Sequence, residues 1–142
     1  MIEVVNRQRR HPIDIEVWRE FAGKALQKIG VEDKDATIAF VSDRAMRELN
    51  KEFRGRNATT DVLSFPAGQF EIEALADDNN LGDVVVSLER AAAQAAAHEL
   101  EFESEIAQLV LHGLLHLCGY DHETDTGEMN RLELKLRRRL SI

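Results

Sequence analysis

The most constraining feature of this chain is one predicted helix whose apolar residues cover nearly its whole circumference. The helix begins at an unclear point within 100–104 and runs to about Leu117. Its apolar positions are Ile106, Leu109, Val110, Leu111, Leu114, Leu115 and Leu117. A helix that is apolar on every side has to be covered on every side, so we expect it to lie at the centre of a layered fold.

Shorter patterns on either side of this helix alternate between strand and helix. Strands are predicted at residues 2–6, 37–41, 60–65 and 83–86. Helices are predicted from Pro12 to Ile29, from the N-cap Ser42 to Gly55, from the N-cap Ser87 to His98, and from Asp125 to Arg139. Residues 67–80 are acidic and predict a loop. The fold class is therefore α/β (α+β): a single layered domain over residues 1–142, with a small mixed sheet of about four strands covered by about five helices.

Composition and targeting signals favour a soluble protein of the cytoplasm. The 142 residues are 44% hydrophobic and 31% charged, which is typical of a globular domain with one core. The N-terminus lacks the basic start and apolar stretch of a secretory signal, and no apolar run reaches the ~18 residues of a membrane span. Cys118 is the only cysteine, so no intrachain disulfide can form. We expect a cytoplasmic location without membrane attachment.

The charge of the chain argues against coating nucleic acid by bulk electrostatics. The net charge is −8, from 18 basic and 26 acidic residues. Basic residues nevertheless cluster at three places, namely Arg7, Arg9 and Arg10, then Arg54 and Arg56, and then Lys135, Arg137, Arg138 and Arg139. Each cluster is either a solvated surface or a local face that binds a phosphate backbone.

Three histidines at the end of the apolar helix form the most informative pattern. His112 and His116 are four residues apart, so they project from one helix face with Cβ atoms roughly 6 Å apart. Gly119 stands where the helix is expected to stop, because glycine adopts the left-handed turn cheaply. The chain can then fold back and bring in His122. Packing alone explains three histidines at this spacing poorly, so the pattern predicts one metal ion held by His112, His116 and His122.

Three neutral imidazoles leave a fourth coordination position for water, which is typical of catalytic zinc sites. A zinc ion would lower the pKa of that water towards ~7 and would serve hydrolysis. Nickel, copper and iron also accept histidine nitrogen, so the metal is not settled by the ligands. Cys118 points away from the histidine face and is expected to pack as a small apolar side chain. Asp121 and Glu123 are either acceptors for a ligand's second N–H or surface charges.

The histidine spacing is that of the metzincin proteases, but an essential residue is different. Those enzymes carry a glutamate after the first histidine, as the general base. Here that position is Gly113. The spacing therefore favours the metal, and the glycine argues against peptide hydrolysis.

A second polar segment, Arg54-Gly55-Arg56-Asn57-Ala58-Thr59-Thr60-Asp61, lies between a predicted helix and a predicted strand. Guanidinium groups bind phosphate oxygens through paired N–H donors and stabilise charge that develops during displacement. The segment is thus either a phosphate-binding loop or an ordinary polar turn.

With these residues in view, the sequence closely resembles the YbeY family of bacterial metal-dependent endoribonucleases. Three blocks carry the resemblance in the family's order: Leu49-Asn50 through Arg54 into Thr60-Asp61-Val62-Leu63-Ser64-Phe65-Pro66; Leu81-Gly82-Asp83-Val84-Val85-Val86-Ser87; and His112-Gly113-Leu114-Leu115-His116-Leu117-Cys118-Gly119-Tyr120-Asp121-His122. The third block is the most specific.

The resemblance implies an α/β fold, one zinc-like site, cleavage of single-stranded RNA, maturation of the 3′ end of 16S ribosomal RNA, and ribosome quality control. It places the metal ligands on His112, His116 and His122, and the functionally important arginine on Arg54. Arg56 stands where the family commonly has lysine, and is expected to bind substrate. Ala58 stands where proline is common, which suggests a less rigid loop.

The expected partners are the 16S rRNA precursor, the small ribosomal subunit and its assembly proteins, with no DNA. His112 and Arg54 are the predicted catalytic residues. Two alternatives remain: a non-catalytic ribosome-assembly factor whose metal is structural, and a peptidase whose base comes from elsewhere in the chain.

Overall fold

A computed structural model describes residues 1–67, 79–121 and 125–142 of the chain. Within these residues four strands form one sheet: β1 (Ile2–Asn6), β2 (Asp35–Val41), β3 (Val62–Pro66) and β4 (Asn80–Ser87). Five helices accompany them: α1 (Ile15–Ile29), α2 (Asp43–Arg54), α3 (Leu88–His98), α4 (Phe102–Leu117) and α5 (Glu128–Leu140). The predicted mixed sheet covered by helices is confirmed.

The order of strands in the sheet is β1-β2-β4-β3. Strands β1, β2 and β4 run parallel, and β3 lies antiparallel to β4 at one edge. An edge strand tolerates proline, and Pro66 is the last residue of β3, paired with Gly82. Strand β3 begins two residues after the predicted start at Thr60, and it includes Pro66, before which it was expected to stop.

The two faces of the sheet carry different packing layers. Alternate residues of β2 and β4 point to opposite faces, as the pleat requires. Ile38, Phe40, Val84 and Val86 join the main core, which also contains buried residues of α1, α3, α4 and α5. On the other face, Val41 and Val85 pack with Met46 of α2. Helix α4 lies in the main core as predicted, with ten of its residues buried.

Side chains and glycines set most of the helix boundaries. Ser42 and Ser87 cap α2 and α3 as predicted, each accepting a backbone N–H. The prediction that α1 begins at Pro12 is wrong, because the carboxylate of Asp14 accepts the N–H groups of Glu16 and Val17 and starts the helix at Ile15. Helix α5 begins three residues later than predicted, after Gly127.

Within the described ranges no helix combines the length and apolar character that crossing a bilayer requires. Most of the predicted acidic loop, residues 68–78, lies outside the described residues.

Candidate metal and phosphate-binding site

His112 and His116 meet at one point on the surface of α4. Their Nε2 atoms lie 3.1 Å apart, and their ring centroids are 4.7 Å apart at an interplanar angle of 76°. Both side chains are half-buried on a helix that is otherwise enclosed by the core. The core therefore holds the backbone of both residues, and the predicted convergence of these two rings is observed.

The spacing of the two nitrogens fits a shared metal ion. Two ligand nitrogens at about 2.1 Å from a tetrahedral zinc lie roughly 3.4 Å from each other, close to the separation found here. Imidazole nitrogen is also a ligand that zinc accepts readily. His122, the predicted third ligand, and Glu123 lie outside the described residues. Among the residues that are described, no group of three His, Cys, Asp or Glu side chains is arranged to hold a metal.

Glu133 of α5 is a buried carboxylate directly behind His112. Its Oε1 lies 2.6 Å from Nδ1 of His112, and its side chain is only 7% exposed. The other oxygen, Oε2, accepts a hydrogen bond from Nη2 of Arg137 at 2.5 Å. The carboxylate is thus shared between a ring nitrogen and a guanidinium.

The ionised form of Glu133 determines which nitrogen of the His112 ring carries a proton. Burial by itself raises the pKa of Glu133, but the hydrogen bond and charge of His112 and the guanidinium of Arg137 outweigh it, so its pKa lies below the ordinary value. An ionised carboxylate only accepts hydrogen bonds, so Nδ1 of His112 carries the proton. When the ring carries only that proton, Nε2 presents its lone pair, which is the state a metal ligand needs.

Arg54, the last residue of α2, is held over the same surface by β3. Its Nη2 donates to the carbonyl oxygen of Ser64 at 2.6 Å, and its guanidinium lies 5.2 Å from the centre of the Phe65 ring. The hydroxyl of Ser64 in turn donates to the carbonyl of Gly113 at 3.1 Å. A single strand residue thus connects the arginine to the helix that carries both histidines.

The segment between α2 and β3 is anchored by polar contacts at both ends. The buried amide of Asn50 donates to the carbonyl of Ala58 at 2.8 Å, and the hydroxyl of Thr59 donates to Oδ1 of Asp43 at 2.5 Å. Burial raises the pKa of Asp43, but hydrogen bonds from Thr59 and Ser87 and the charge of Arg90 together lower it below its usual value. The Asp43 carboxylate is therefore a stable acceptor that ties the segment to the start of α2.

Gly113 is required by close packing of α4 on the sheet. A Cβ atom at this position would lie 2.5 Å from Cγ1 of Val84 and 3.2 Å from the hydroxyl of Ser64. Any larger side chain therefore collides with the central strand β4. A glutamate like that of the metzincin proteases therefore has no room at this position.

We expect Gly113→Ala to lower the free energy of unfolding by about 1–3 kcal/mol, because Val84 is a stiff, fully buried side chain. The matched control is Gly23→Ala in α1, where a Cβ meets nothing within 4 Å. That substitution is expected to be neutral or to stabilise by up to about 1 kcal/mol, from helix propensity. Urea unfolding of both variants measures the difference. Equal stabilities would contradict the packing described for Gly113.

Two clefts that share lining residues lie beside the histidines and Arg54. The first, called the histidine cleft, has a volume of about 440 Å³ and is lined by Arg54, Val62, Leu63, Ser64, Pro66, His112, His116, Gly119, Tyr120 and Asp121. The second, called the loop cleft, has a volume of about 680 Å³ and is lined by Asn50, Arg54, Arg56, Ala58, Thr59, Thr60, Leu63, His116 and Asp121. Both predicted arginines therefore face the space beside the histidines, and Arg54 faces both clefts.

The structure assigns the contact behind His112 to a residue that the sequence patterns did not single out. Asp121 lines the clefts, whereas Glu133 provides the acceptor for Nδ1 of His112. The sequence does contain a trace of this contact. Glu133 lies on the same side of α5 as Met129 and Leu136, so a charged residue interrupts an apolar stripe. Cys118 ends α4 half-buried, and burial raises the pKa of its thiol, which favours the uncharged form.

Comparisons with known proteins point to one family. A sequence model of one family, described as Endoribonuclease YbeY, matches residues 3–141. The Endoribonuclease YbeY of Geobacter metallireducens is 36% identical, with 99% of this chain and 94% of the relative covered. That of Clostridioides difficile is 40% identical, with 90% and 86% covered.

A solved structure shares the fold. The solution structure of TM1509 from Thermotoga maritima superposes with a TM-score of 0.67 at 28% identity, and the match covers 99% of this chain and 89% of that one. The family match extends over nearly the whole sequence. By fold and by sequence, this chain belongs to the YbeY family.

Proposed function

We propose that this chain is an endoribonuclease that hydrolyses phosphodiester bonds of single-stranded RNA at a single metal ion. The observation that carries the proposal is the pair of Nε2 atoms, 3.1 Å apart, in the same cleft as the Arg54 guanidinium. A metal site beside a phosphate-binding cation is the arrangement that phosphodiester hydrolysis needs. The relatives named Endoribonuclease YbeY support the same activity.

The histidines would bind the metal, and Glu133 would hold the ring of one of them in position. His112 and His116 supply two nitrogens, and His122 is proposed as the third ligand because of its place in the motif. Glu133 holds Nδ1 of His112, which leaves Nε2 as the nitrogen that meets His116. A divalent cation bound there would act as a Lewis acid towards a phosphate oxygen or water.

Arg54 would bind the phosphate on which the reaction occurs. A guanidinium has five N–H donors, and the contact with Ser64 engages one of them while it fixes the direction of the group. Its charge can neutralise a phosphate oxygen as negative charge builds up during displacement. Arg56, which lines the adjoining loop cleft, would contact a neighbouring phosphate.

Single-stranded RNA suits clefts that lie beside one another at the surface and lead to one reactive centre. A duplex holds its bases paired and its backbone stiff, whereas a single strand can bend to follow such a surface. The family resemblance further supports the 3′ end of 16S rRNA precursor as substrate, the small ribosomal subunit and its assembly proteins as partners, zinc as the metal, and the cytoplasm as location.

An RNA cleavage assay tests the proposal directly. Purified, metal-loaded protein should cut an unstructured RNA, and should cut it much less when the RNA is annealed to its complement or when a chelator is added. We expect Arg54→Ala to reduce the cleavage rate by about 10²- to 10³-fold, because a positioned cation at the reacting phosphate is removed. Arg139→Ala, an exposed arginine at the end of α5, should leave the rate unchanged. Equal cleavage under all these conditions would refute the assignment.

A further inference from the structure

A third cleft continues the series that begins at the histidines. It has a volume of about 370 Å³, is called the arginine cleft, and is lined by Asp43, Arg44, Arg47, Thr59 and Arg90. Thr59 also lines the loop cleft, which in turn shares Arg54 and His116 with the histidine cleft. The series therefore leads from the histidine cleft through the loop cleft to the arginine cleft at the start of α2.

The arginine cleft carries a local excess of positive charge on an acidic chain. Three guanidiniums line this cleft together with one carboxylate, that of Asp43, which already accepts hydrogen bonds from the hydroxyls of Thr59 and Ser87. Arg90 contacts the same carboxylate, with 3.4 Å between Nη2 and Oδ2. The net charge of the lining is thus positive, although the whole chain carries −8.

Two of the three arginines have only weak intramolecular partners. Arg44 faces Glu48 across 3.9 Å, and both side chains are largely exposed, so water and salt screen the pair. Arg47 is exposed, and its side chain has no ion pair with any described residue. Such guanidiniums can contact an external anion without breaking a structural interaction.

The distance between the two ends of α2 sets the size of the ligand. Arg44 and Arg54 are near opposite ends of the helix, which rises about 1.5 Å per residue, so they lie roughly 15 Å apart along the axis. This span exceeds one nucleotide. A ligand that reaches both arginines must be an extended polyanion.

From these observations we infer that the arginine cleft binds backbone phosphates of the RNA several nucleotides away from the bond that is cut. This inference rests on the proposed nuclease function. RNA is favoured over an acidic protein segment because the arginine cleft adjoins, through the loop cleft, the site where the RNA is proposed to react. The ligand is recognised by its repeated phosphates, without selection among bases.

A double variant tests the inference through binding rather than cleavage. Arg44→Gln with Arg47→Gln removes two exposed charges, and Arg138→Gln with Arg139→Gln on α5 removes the same charge elsewhere. Binding of metal-loaded protein to a fluorescent single strand of about ten nucleotides, with nuclease-resistant phosphorothioate linkages, is followed by anisotropy at several salt concentrations.

We expect the α2 variant to bind about fivefold or more weakly, and the α5 variant to bind like wild type. The slope of log affinity against log salt should become shallower by about 0.7 for each phosphate that the α2 variant no longer neutralises. A dinucleotide is too short to reach the arginine cleft, so the α2 variant should bind it as well as wild type does.

Equal weakening by both double variants would overturn the inference, because it would show a bulk charge effect. Unchanged binding by the α2 variant would also overturn it, and would leave an acidic protein as the partner of this surface. Both results are compatible with normal cleavage by wild type, so they leave the proposed function standing. Wild type that neither cuts nor binds RNA would refute both proposals.

Discussion

Replacing His116 with alanine is expected to abolish RNA cleavage, with a loss of roughly 1000-fold or more. The substitution removes one of the two converging nitrogens, and a metal held by fewer ligands dissociates readily. Alanine is favourable in a helix, and His116 lies at the cleft rather than in the core, so we expect the variant to fold. Metal content by mass spectrometry and cleavage of an unstructured RNA measure the two effects together.

The control for this experiment is His98→Ala, since this side chain is 59% exposed at the end of α3. It should keep both metal and activity. A His116 variant that has lost its metal but still cuts RNA would contradict the proposed reaction centre. If that variant instead fails to cut RNA but still restores growth of cells that lack the protein, the non-catalytic assembly role becomes the better explanation.

Glu133→Gln should weaken metal binding by about 10- to 100-fold while the shape of the side chain is kept. An amide can present either a donor or an acceptor to Nδ1 of His112, so the ring is no longer fixed with Nε2 towards the cleft. Loss of the carboxylate also removes the partner of Arg137, and we expect unfolding to cost about 1–3 kcal/mol less. Competition with a chromophoric chelator gives the affinity.

The variant Arg137→Gln distinguishes the effect on the His112 ring from the effect on folding stability. It removes the ion pair with Glu133 and leaves the contact between Glu133 and His112 in place. Its stability should fall in a similar way, but its metal affinity should change much less. Nitrogen NMR of the His112 ring gives a second measurement, since the proton should be on Nδ1 in wild type and in Arg137→Gln. Equal loss of metal affinity in both variants would contradict the orienting role of Glu133.

Local patterns predicted the elements that carry the candidate site, because their signals lie within a few residues. Helix α4 is apolar on nearly every side, and its histidines lie four residues apart, so burial and convergence both followed from helix geometry. Ser42 and Gly55 marked the two ends of α2, which placed Arg54 at the end of a helix. The metal and the roles of His112, Arg54 and Arg56 stay predictions.

Features that depend on distant segments were not predictable in this way. Strand β4 is longer than predicted because it pairs with β2 along nearly its whole length and with β3 over Gly82–Val86, which no local pattern records. The contact between Glu133 and His112 joins two helices, and its two residues are 21 positions apart in the chain. Its only local trace is a charge on the apolar stripe of α5.

Because Glu133 lies on α5, a newly made molecule acquires the two histidines before it acquires the carboxylate that holds one of them. Ribosomes synthesise His112 and His116 before they synthesise α5, and until α5 has docked on α4 the His112 ring has no buried carboxylate to hold it. A nascent chain that has just completed α4 therefore holds both imidazoles without the group that orients one of them. The candidate metal site is therefore complete only after α5 has folded, although α5 lines none of the three clefts.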